Sequence, residues 1–158
     1  MFFKYLIVFF ISMVPLIELR GAIPVAIGMG LDTLPSIAVC AVGNLLPVPI
    51  IYFFARKFLI WGLDKPYIGG ICHFFHDKGE AAGQKLSSSR VGRCGVMAAL
   101  IVFVGIPLPG TGAWTGTLGA SFLDLGMKKT ALSVTLGVLM AAIIMATVSN
   151  VGFHAIGM

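Results

Sequence analysis

The chain has 158 residues, of which 58% are hydrophobic and 11% are charged, and its mean hydropathy is +1.01. A water-soluble domain normally carries about 25% charged residues, so this composition excludes an ordinary soluble enzyme or binding domain. The net charge of +5 does not call for a nucleic-acid partner, because seven of the eleven basic residues lie together within residues 56–93.

Four runs of at least 13 residues contain no Asp, Glu, Lys or Arg: residues 5–17, 33–55, 94–123 and 130–158. A helix that crosses the hydrocarbon core needs about 20 apolar residues, so the last three runs are long enough and the first is short. None of them alternates over about ten residues in the way that a β-barrel strand does. We therefore predict an all-α integral membrane protein that forms one domain, residues 1–158.

Helix-breaking residues interrupt the apolar sequence twice. The first interruption contains Pro15, Glu18, Arg20, Gly21 and, just beyond, Pro24. The second contains Gly105, Pro107, Pro109, Gly110 and Gly112. Proline removes a backbone donor and clashes with the preceding turn, so we expect regular helix to end at these places. Irregular backbone at membrane depth survives only where protein buries it or where it lines a watery cavity.

A shift of 91 residues places the second interruption on the first and pairs the sequence Gly-Ala-Ile at 21–23 with Gly-Ala-Trp at 112–114. Each interruption is followed by small residues four apart, which allow membrane helices to approach closely. A long uncharged span comes next in both halves. We predict two repeats, about 1–60 and about 94–158, joined by a connector at about 61–93; the alternative is a chance likeness between two Gly-rich apolar stretches.

The positions of the basic residues favour segments that turn back over segments that cross. Short loops rich in Lys and Arg stay in the cytoplasm, which places residues 56–93 there. If both interrupted segments turn back, Lys128 and Lys129 are also cytoplasmic and only Lys4 lies outside; if all segments cross, Lys128 and Lys129 lie outside. We therefore predict inverted repeats, each a re-entrant helical hairpin plus a transmembrane helix, in the cell inner (plasma) membrane.

Glu18 and Arg20 are the acid and the base that lie well inside an apolar run. Charged residues in a membrane segment are costly and usually mark a transport pathway. An ion pair between them, or their extension to the membrane surface, is the structural alternative. In the second interruption the hydroxyls of Thr111 and Thr115, the Trp114 indole and free backbone N–H groups could serve a ligand. A half-helix starting near Thr111 would point its positive end at an anionic group, and close helix packing is the alternative.

The candidate residues for binding a substrate or a proton are Glu18, Arg20, Pro24, Asn44, Pro107, Pro109, Thr111, Trp114 and Thr115. Asn44 interrupts the second span together with two prolines, and an asparagine in a membrane helix usually bonds a neighbouring helix. We expect no metal and no cofactor. No Ser-His-Asp or paired-carboxylate arrangement suggests an enzyme.

Two segments carry a family resemblance. Residues 15–24 (PLIELRGAIP) and 107–116 (PLPGTGAWTG) resemble the paired signatures of the putative small multidrug export protein family over nearly the whole chain. That family is distantly similar to the DedA/VTT superfamily, through the pattern Pro15, Arg20, Pro24, Gly28. In this chain the pattern lies in the first half, and the second half lacks the arginine. The resemblance implies two re-entrant hairpins with charged tips, and a role in moving lipids such as polyprenyl phosphates, with proton coupling in some members.

We expect a transporter or flippase for an amphiphilic anion of the lipid-phosphate class, with Arg20 binding the phosphate and Glu18 exchanging a proton. One alternative is a proton-coupled multidrug exporter of lipophilic cations, in which Glu18 alternates between proton and drug. Another is a membrane scaffold that transports nothing. The small-residue surface suggests that the chain forms a homodimer.

Overall fold

The computed structural model describes residues 1–15, 17–63, 70, 73, 90–108, 111–123 and 125–155. Over these residues the chain is helical, and they contain no strand. The helices are α1 (Phe2–Met13), α2 (Glu18–Gly28), α3 (Thr33–Leu45), α4 (Pro47–Leu63), α5 (Arg90–Gly105), α6 (Ala113–Phe122) and α7 (Met127–Ala155). The prediction of an all-α protein is confirmed.

Two stretches are long and apolar enough to cross a membrane, Thr33–Ala55 and Met127–Gly152. The first combines α3 with the beginning of α4, because Leu46 between them keeps helical backbone angles (φ −59°, ψ −40°). Pro47 is tolerated as the first residue of α4, where a missing N–H does little harm. These two stretches correspond to the uncharged spans predicted from the sequence.

The helices α1 and α2 are short and pack against each other. They have 12 and 11 residues, so each is about 18 Å long or less at 1.5 Å per residue, against about 30 Å of hydrocarbon. The Nζ of Lys4 donates a hydrogen bond of 2.9 Å to the carbonyl of Met29. The start of α1 and the end of α2 therefore lie together.

The helix α2 ends in a turn that reverses the chain towards α3. The N–H of Gly30 donates to the carbonyl of Ile27 and the N–H of Leu31 to that of Ala26, at 2.9 and 3.0 Å. This is the Schellman arrangement, in which a left-handed residue follows the helix. Gly30 supplies it with a φ of 72°.

The expectation that regular helix ends at the first interruption is confirmed at its start, where α1 ends at Met13, and is wrong from Glu18 onward, since α2 runs through both Gly21 and Pro24. The interruption is confined to the residues before Glu18. Proline within a helix removes one backbone hydrogen bond, which here is the bond that the carbonyl of Arg20 would otherwise accept from residue 24. The helix continues because its neighbours hold it: α2 packs against α1, α3 and α7.

The remaining helices complete a bundle around α2 and α7. The helix α5 packs chiefly on α7, and α6 packs on α4 and α7. The buried hydroxyl of Ser121 in α6 donates to the carbonyl of Tyr52 in α4 at 2.9 Å. The helices α2 and α6 each begin directly after one of the two interruptions, so both of these N-terminal ends belong to the bundle.

The exterior of the bundle is strongly apolar. Phe53 and Phe54 on α4 are 59% and 67% exposed, and Ile143 on α7 is 65% exposed. The interior instead contains many small and hydroxyl side chains, including Ser12, Ser36, Thr117, Thr130 and Ser133. Large apolar side chains are exposed along α1, α4 and α7, whereas a soluble monomer rarely exposes large apolar patches. This distribution is that of a membrane protein whose outer surface contacts lipid.

Candidate functional site

The two interruptions meet in the fold. Residues that are 91 positions apart in the chain, Arg20 and Thr111, are joined by a hydrogen bond. Between them lies a cavity of about 150 Å³, lined by Pro15, Glu18, Arg20, Thr111, Gly112, Trp114, Thr115 and Leu118. The cavity therefore has one wall from the start of α2 and the other from the start of α6. We call it the polar pocket.

The carboxylate of Glu18 lies at the start of α6. The residue is 6% exposed, and its Oε1 accepts a hydrogen bond of 3.2 Å from the backbone N–H of Trp114. The first N–H groups of a helix have no partner within the helix, and the helix dipole makes this end positive. The N-cap of α6 is Gly112, which has no side chain that could accept a hydrogen bond from these N–H groups. The carboxylate of Glu18, from a distant part of the chain, accepts the one from Trp114 instead.

Gly112 makes this approach possible. A Cβ atom added at Gly112 would overlap both carboxylate oxygens of Glu18. Any other residue at this position would force the carboxylate away from α6. Gly112 has extended backbone angles (φ −172°), so glycine is needed here for space and not for its conformational freedom.

The backbone of Glu18 is itself strained. Its φ of 47° makes it the one non-glycine residue with a positive φ in the part of the chain that the structure describes. The left-handed conformation costs an L-residue about 1–2 kcal/mol. Such strain persists only where the surroundings enforce it, and it is concentrated at functional sites. The turn before α2 thus directs the Glu18 side chain at a conformational cost.

Arg20 forms the second link between the turns. Its Nη2 donates to Oγ1 of Thr111 at 3.0 Å. The Thr111 hydroxyl lies 2.8 Å from the carbonyl of Ile106 and 2.9 Å from that of Leu108, and its single hydrogen can serve one of them at a time. Glu18 and Arg20 thus bond to the opposite turn, and the described residues show no ion pair between the two.

Thr115 and Trp114 complete the wall formed by α6. The N–H of Gly112 donates to Oγ1 of Thr115 at 3.0 Å, which stabilises the first turn of the helix. The indole N–H of Trp114 is buried and has no hydrogen-bond partner among the described residues. A buried donor without a partner costs about 1–3 kcal/mol. This indole N–H is therefore a cost to the fold that nothing in the described part of the chain offsets.

The structure brings together five of the nine residues predicted from the sequence: Glu18, Arg20, Thr111, Trp114 and Thr115. Pro24, Asn44 and Pro107 do not line the polar pocket, and Pro109 lies outside the described residues. Asn44 is 3% exposed, and its Oδ1 has no partner within the described chain.

Sequence reasoning missed Pro15, Gly112 and Leu118 as parts of the pocket wall. Gly112 could have been found, because the 91-residue shift places it on Gly21 beside the two charged positions. The sequence also suggested that the start of α6 faces an anionic group of a substrate. In the structure, the anionic group at that position is the carboxylate of Glu18.

The chain belongs to a known family. The family model described as putative small multi-drug export protein matches residues 18–144, which are 127 of the 158 residues. The match begins at Glu18 and includes every residue that lines the polar pocket except Pro15. Comparison with curated proteins and with solved structures gives no match. The apolar helices and the family name together indicate a small membrane protein, and the family name suggests multidrug export.

Proposed function

We propose that this family member is a proton-coupled exporter of small lipophilic compounds, cations among them, with Glu18 as the carboxylate that exchanges a proton for the cargo. The observation that carries the proposal is the placement of Glu18, a buried acid held between two turns in a chain whose outer surface is apolar. Ionisable groups inside membrane segments are typical of proton relays and substrate pathways. The family name favours export of drug-like molecules over lipid-phosphate transport.

The contacts of Glu18 suggest how exchange would work. An ionised carboxylate accepts the N–H of Trp114 strongly, because hydrogen bonds to a charged group are about twice as strong as neutral ones. A proton on Glu18 removes the charge and weakens its attraction to the start of α6. A bound cation would compete for the same oxygens. Proton and cargo would then alternate at one group, and each change would loosen or tighten the contact between the turns.

The arrangement of helices supports two inverted repeats with re-entrant hairpins. The helix after the first interruption, α2, packs on the long helix of the second half, α7, while α6 packs on α4 of the first half. In each half the helix before the interruption packs on the long helix of its own half, α1 on α3 and α5 on α7. The contact between Lys4 and Met29 supports a first segment that returns to its starting face. We place the protein in the inner membrane as a homo-oligomer, with residues 56–93 in the cytoplasm.

A second candidate function is transport of a lipid phosphate, and Arg20 is the observation that favours it. Its guanidinium lines the polar pocket and donates to a neutral hydroxyl. Phosphate oxygens accept hydrogen bonds from arginine in a strong bidentate arrangement. A phosphate entering the pocket could replace Thr111 as the acceptor. In this function Arg20, and not Glu18, would be the residue that transport cannot lose.

Purified protein in liposomes with an imposed pH gradient separates these functions. The cargo would be tetraphenylphosphonium in one set of vesicles and a fluorescent polyprenyl phosphate in another. We expect Glu18→Gln to abolish proton-driven movement of the cation and Arg20→Ala to reduce it by less than about threefold, a barrier change below about 1 kcal/mol. Asp32→Asn and Lys57→Ala make the same charge changes at exposed positions and should leave transport unchanged.

The opposite pattern would support the second candidate: loss of polyprenyl phosphate movement in Arg20→Ala, with no cation movement in the unaltered protein. If neither cargo moves and both substitutions leave the fold unchanged, the transport proposal fails and a scaffold role becomes the better account.

A further inference from the structure

An apolar groove leads from the polar pocket along the surface between α5 and α6. A cavity of about 280 Å³ lies between these helices, with Leu100, Phe103, Gly119 and Leu123 among its lining residues. A second, more open cavity lies beside it, lined by Ala98, Val102, Ile106 and others. The two share Ala99 and Phe103. We call these two cavities together the side groove.

The side groove is continuous with the polar pocket. Thr115 lines both the pocket and the first cavity, and Thr111 lines both the pocket and the second cavity. The groove is open to the exterior, since Val102 and Phe103 on its rim are 50% and 42% exposed. A molecule in the groove could therefore touch lipid along its length and the hydroxyls of Thr111 and Thr115 at its end.

The two compartments have different chemistry. The polar pocket is lined by the charged side chains of Glu18 and Arg20 and by the hydroxyl side chains of Thr111 and Thr115. The side groove offers aliphatic and aromatic carbon, and Gly119 leaves open space where a side chain would stand, with nothing within 4 Å of an added Cβ. The pocket volume of about 150 Å³ is below the range of about 300–1,000 Å³ for pockets that enclose a drug-sized ligand. A molecule of that size could place only its polar part in the pocket.

We propose that the side groove holds the apolar chain of an amphiphilic substrate whose small polar head occupies the polar pocket. The substrate enters sideways from the membrane, along α5 and α6. This inference rests on the proposed transport function for its purpose, but it concerns binding alone. Continuity with the charged pocket is what identifies the occupant, because a second copy of the chain covering the groove would bring an apolar helix against the hydroxyls of Thr111 and Thr115.

The groove has a length that the substrate should match. From Thr115 to Leu123 along α6 is eight residues, or about 12 Å at 1.5 Å per residue. Binding should strengthen as the alkyl chain of the substrate lengthens and then level off once the chain fills this distance. Each buried methylene contributes about 0.8 kcal/mol, which is nearly a fourfold gain in affinity per carbon before the plateau.

The test is photolabelling of the full-length protein in liposomes with alkyltrimethylammonium ions and alkyl phosphates that carry a diazirine at the chain end. One probe has a cationic head group and the other an anionic one, so a result that both share does not depend on the charge of the head group. We expect the label on residues 96–108 and 115–123. The labelling yield should rise as the alkyl chain of the probe lengthens and then level off. Gly119→Leu fills the groove and should reduce this labelling at least tenfold. Gly152→Leu makes the same change in α7, also at a position with open space but in a helix that does not line the groove, and should not reduce it.

Labelling spread over the lipid-facing helices and unchanged by Gly119→Leu would overturn the inference. So would a stable disulfide-linked dimer formed by Ala99→Cys, in a background without Cys40, Cys72 and Cys94, that persists when the amphiphile is added, because a second copy would then occupy the groove. Failure of the transport function is distinct. It would show as groove labelling with no proton-driven movement of any cargo in the same vesicles.

Discussion

Gly112 is the residue on which the geometry of the site depends most directly. It stands at the N-cap of α6, where a side chain would collide with the Glu18 carboxylate. The carboxylate in turn accepts the N–H of Trp114. The contact between the two turns therefore requires an acid on one side and the absence of a side chain on the other.

We predict that Gly112→Ala displaces Glu18 and lowers proton-driven cation transport at least tenfold, since a displacement of about 1 Å at a site can cost about 100-fold in rate. The measurement is initial transport rate in liposomes at matched protein content. Gly152→Ala is the matched control, because it makes the same change within a helix, with nothing within 4 Å of the added Cβ, and it lines neither the polar pocket nor the side groove. Equal rates for the two variants would contradict the role given to Gly112.

The charged residues of the site could be predicted from the sequence, but their partners could not. Glu18 and Arg20 stand out because the surrounding run is apolar, and charged residues within a membrane segment usually have a functional role. Because Glu18 and Arg20 are two residues apart in the sequence and have opposite charges, the simplest interpretation is an ion pair between them. Their bonds to Trp114 and Thr111 depend on how distant helices pack, and no local pattern specifies this.

At the scale of helices, a helix that is too short to cross the membrane, such as α2, depends on the turn that ends it. The reversal after α2 needs a left-handed residue, and Gly30 provides it. A Cβ at Gly30 would meet nothing within 4 Å. Any effect of substituting it therefore comes from the backbone conformation and not from a collision.

Gly30→Ala should lower the free energy of unfolding by about 1–2 kcal/mol, the cost of the left-handed conformation for an L-residue. The measurement is denaturation in detergent followed by circular dichroism. Gly95→Ala, in a helix and with open space around it, should be neutral or slightly stabilising, because alanine favours helix over glycine by about 0.5–1 kcal/mol. A loss of stability in Gly95→Ala as large as that in Gly30→Ala would show that the effect is not one of backbone conformation.

The boundaries of the elements show what the sequence can and cannot predict. The uncharged spans correspond to α3–α4 and α7, because apolar length is a direct physical requirement for crossing a bilayer. The helix through Pro24 was not predicted. Proline disfavours helix locally, and only the packing of α2 against three other helices outweighs that preference. Tertiary contacts of this kind leave no signal in the adjacent sequence.

For the molecule as a whole, the proposed inverted topology makes the two halves enter the membrane from opposite faces. Lys4 and the C-terminus would then lie outside, while the connector and Lys128 lie in the cytoplasm. A chain in which every segment crosses would instead place Lys4 with the connector and Lys128 on the opposite side. The sides of the membrane on which Lys4 and Lys128 lie, relative to the connector, therefore distinguish the two arrangements.

Single cysteines at Phe2, His73 and Lys128, all exposed in the structure, should report this topology in a background without the native cysteines. We expect an impermeant thiol reagent applied to intact cells to label Phe2→Cys, and to label His73→Cys and Lys128→Cys only after the membrane is opened. Labelling of Lys128→Cys but not of Phe2→Cys in intact cells would support the crossing arrangement and exclude re-entrant hairpins.

Both candidate transport functions require that the two interrupted segments meet inside the membrane and enclose one polar pocket. Trp114 lines that pocket, and the only other tryptophan is Trp61, so a Trp61→Phe variant reports on Trp114 alone. The measurement is quenching of its fluorescence by lipids brominated at different depths. We expect the strongest quenching from bromines near the ends of the acyl chains. Strongest quenching from bromines next to the headgroups would place the pocket at the membrane surface and contradict both functions.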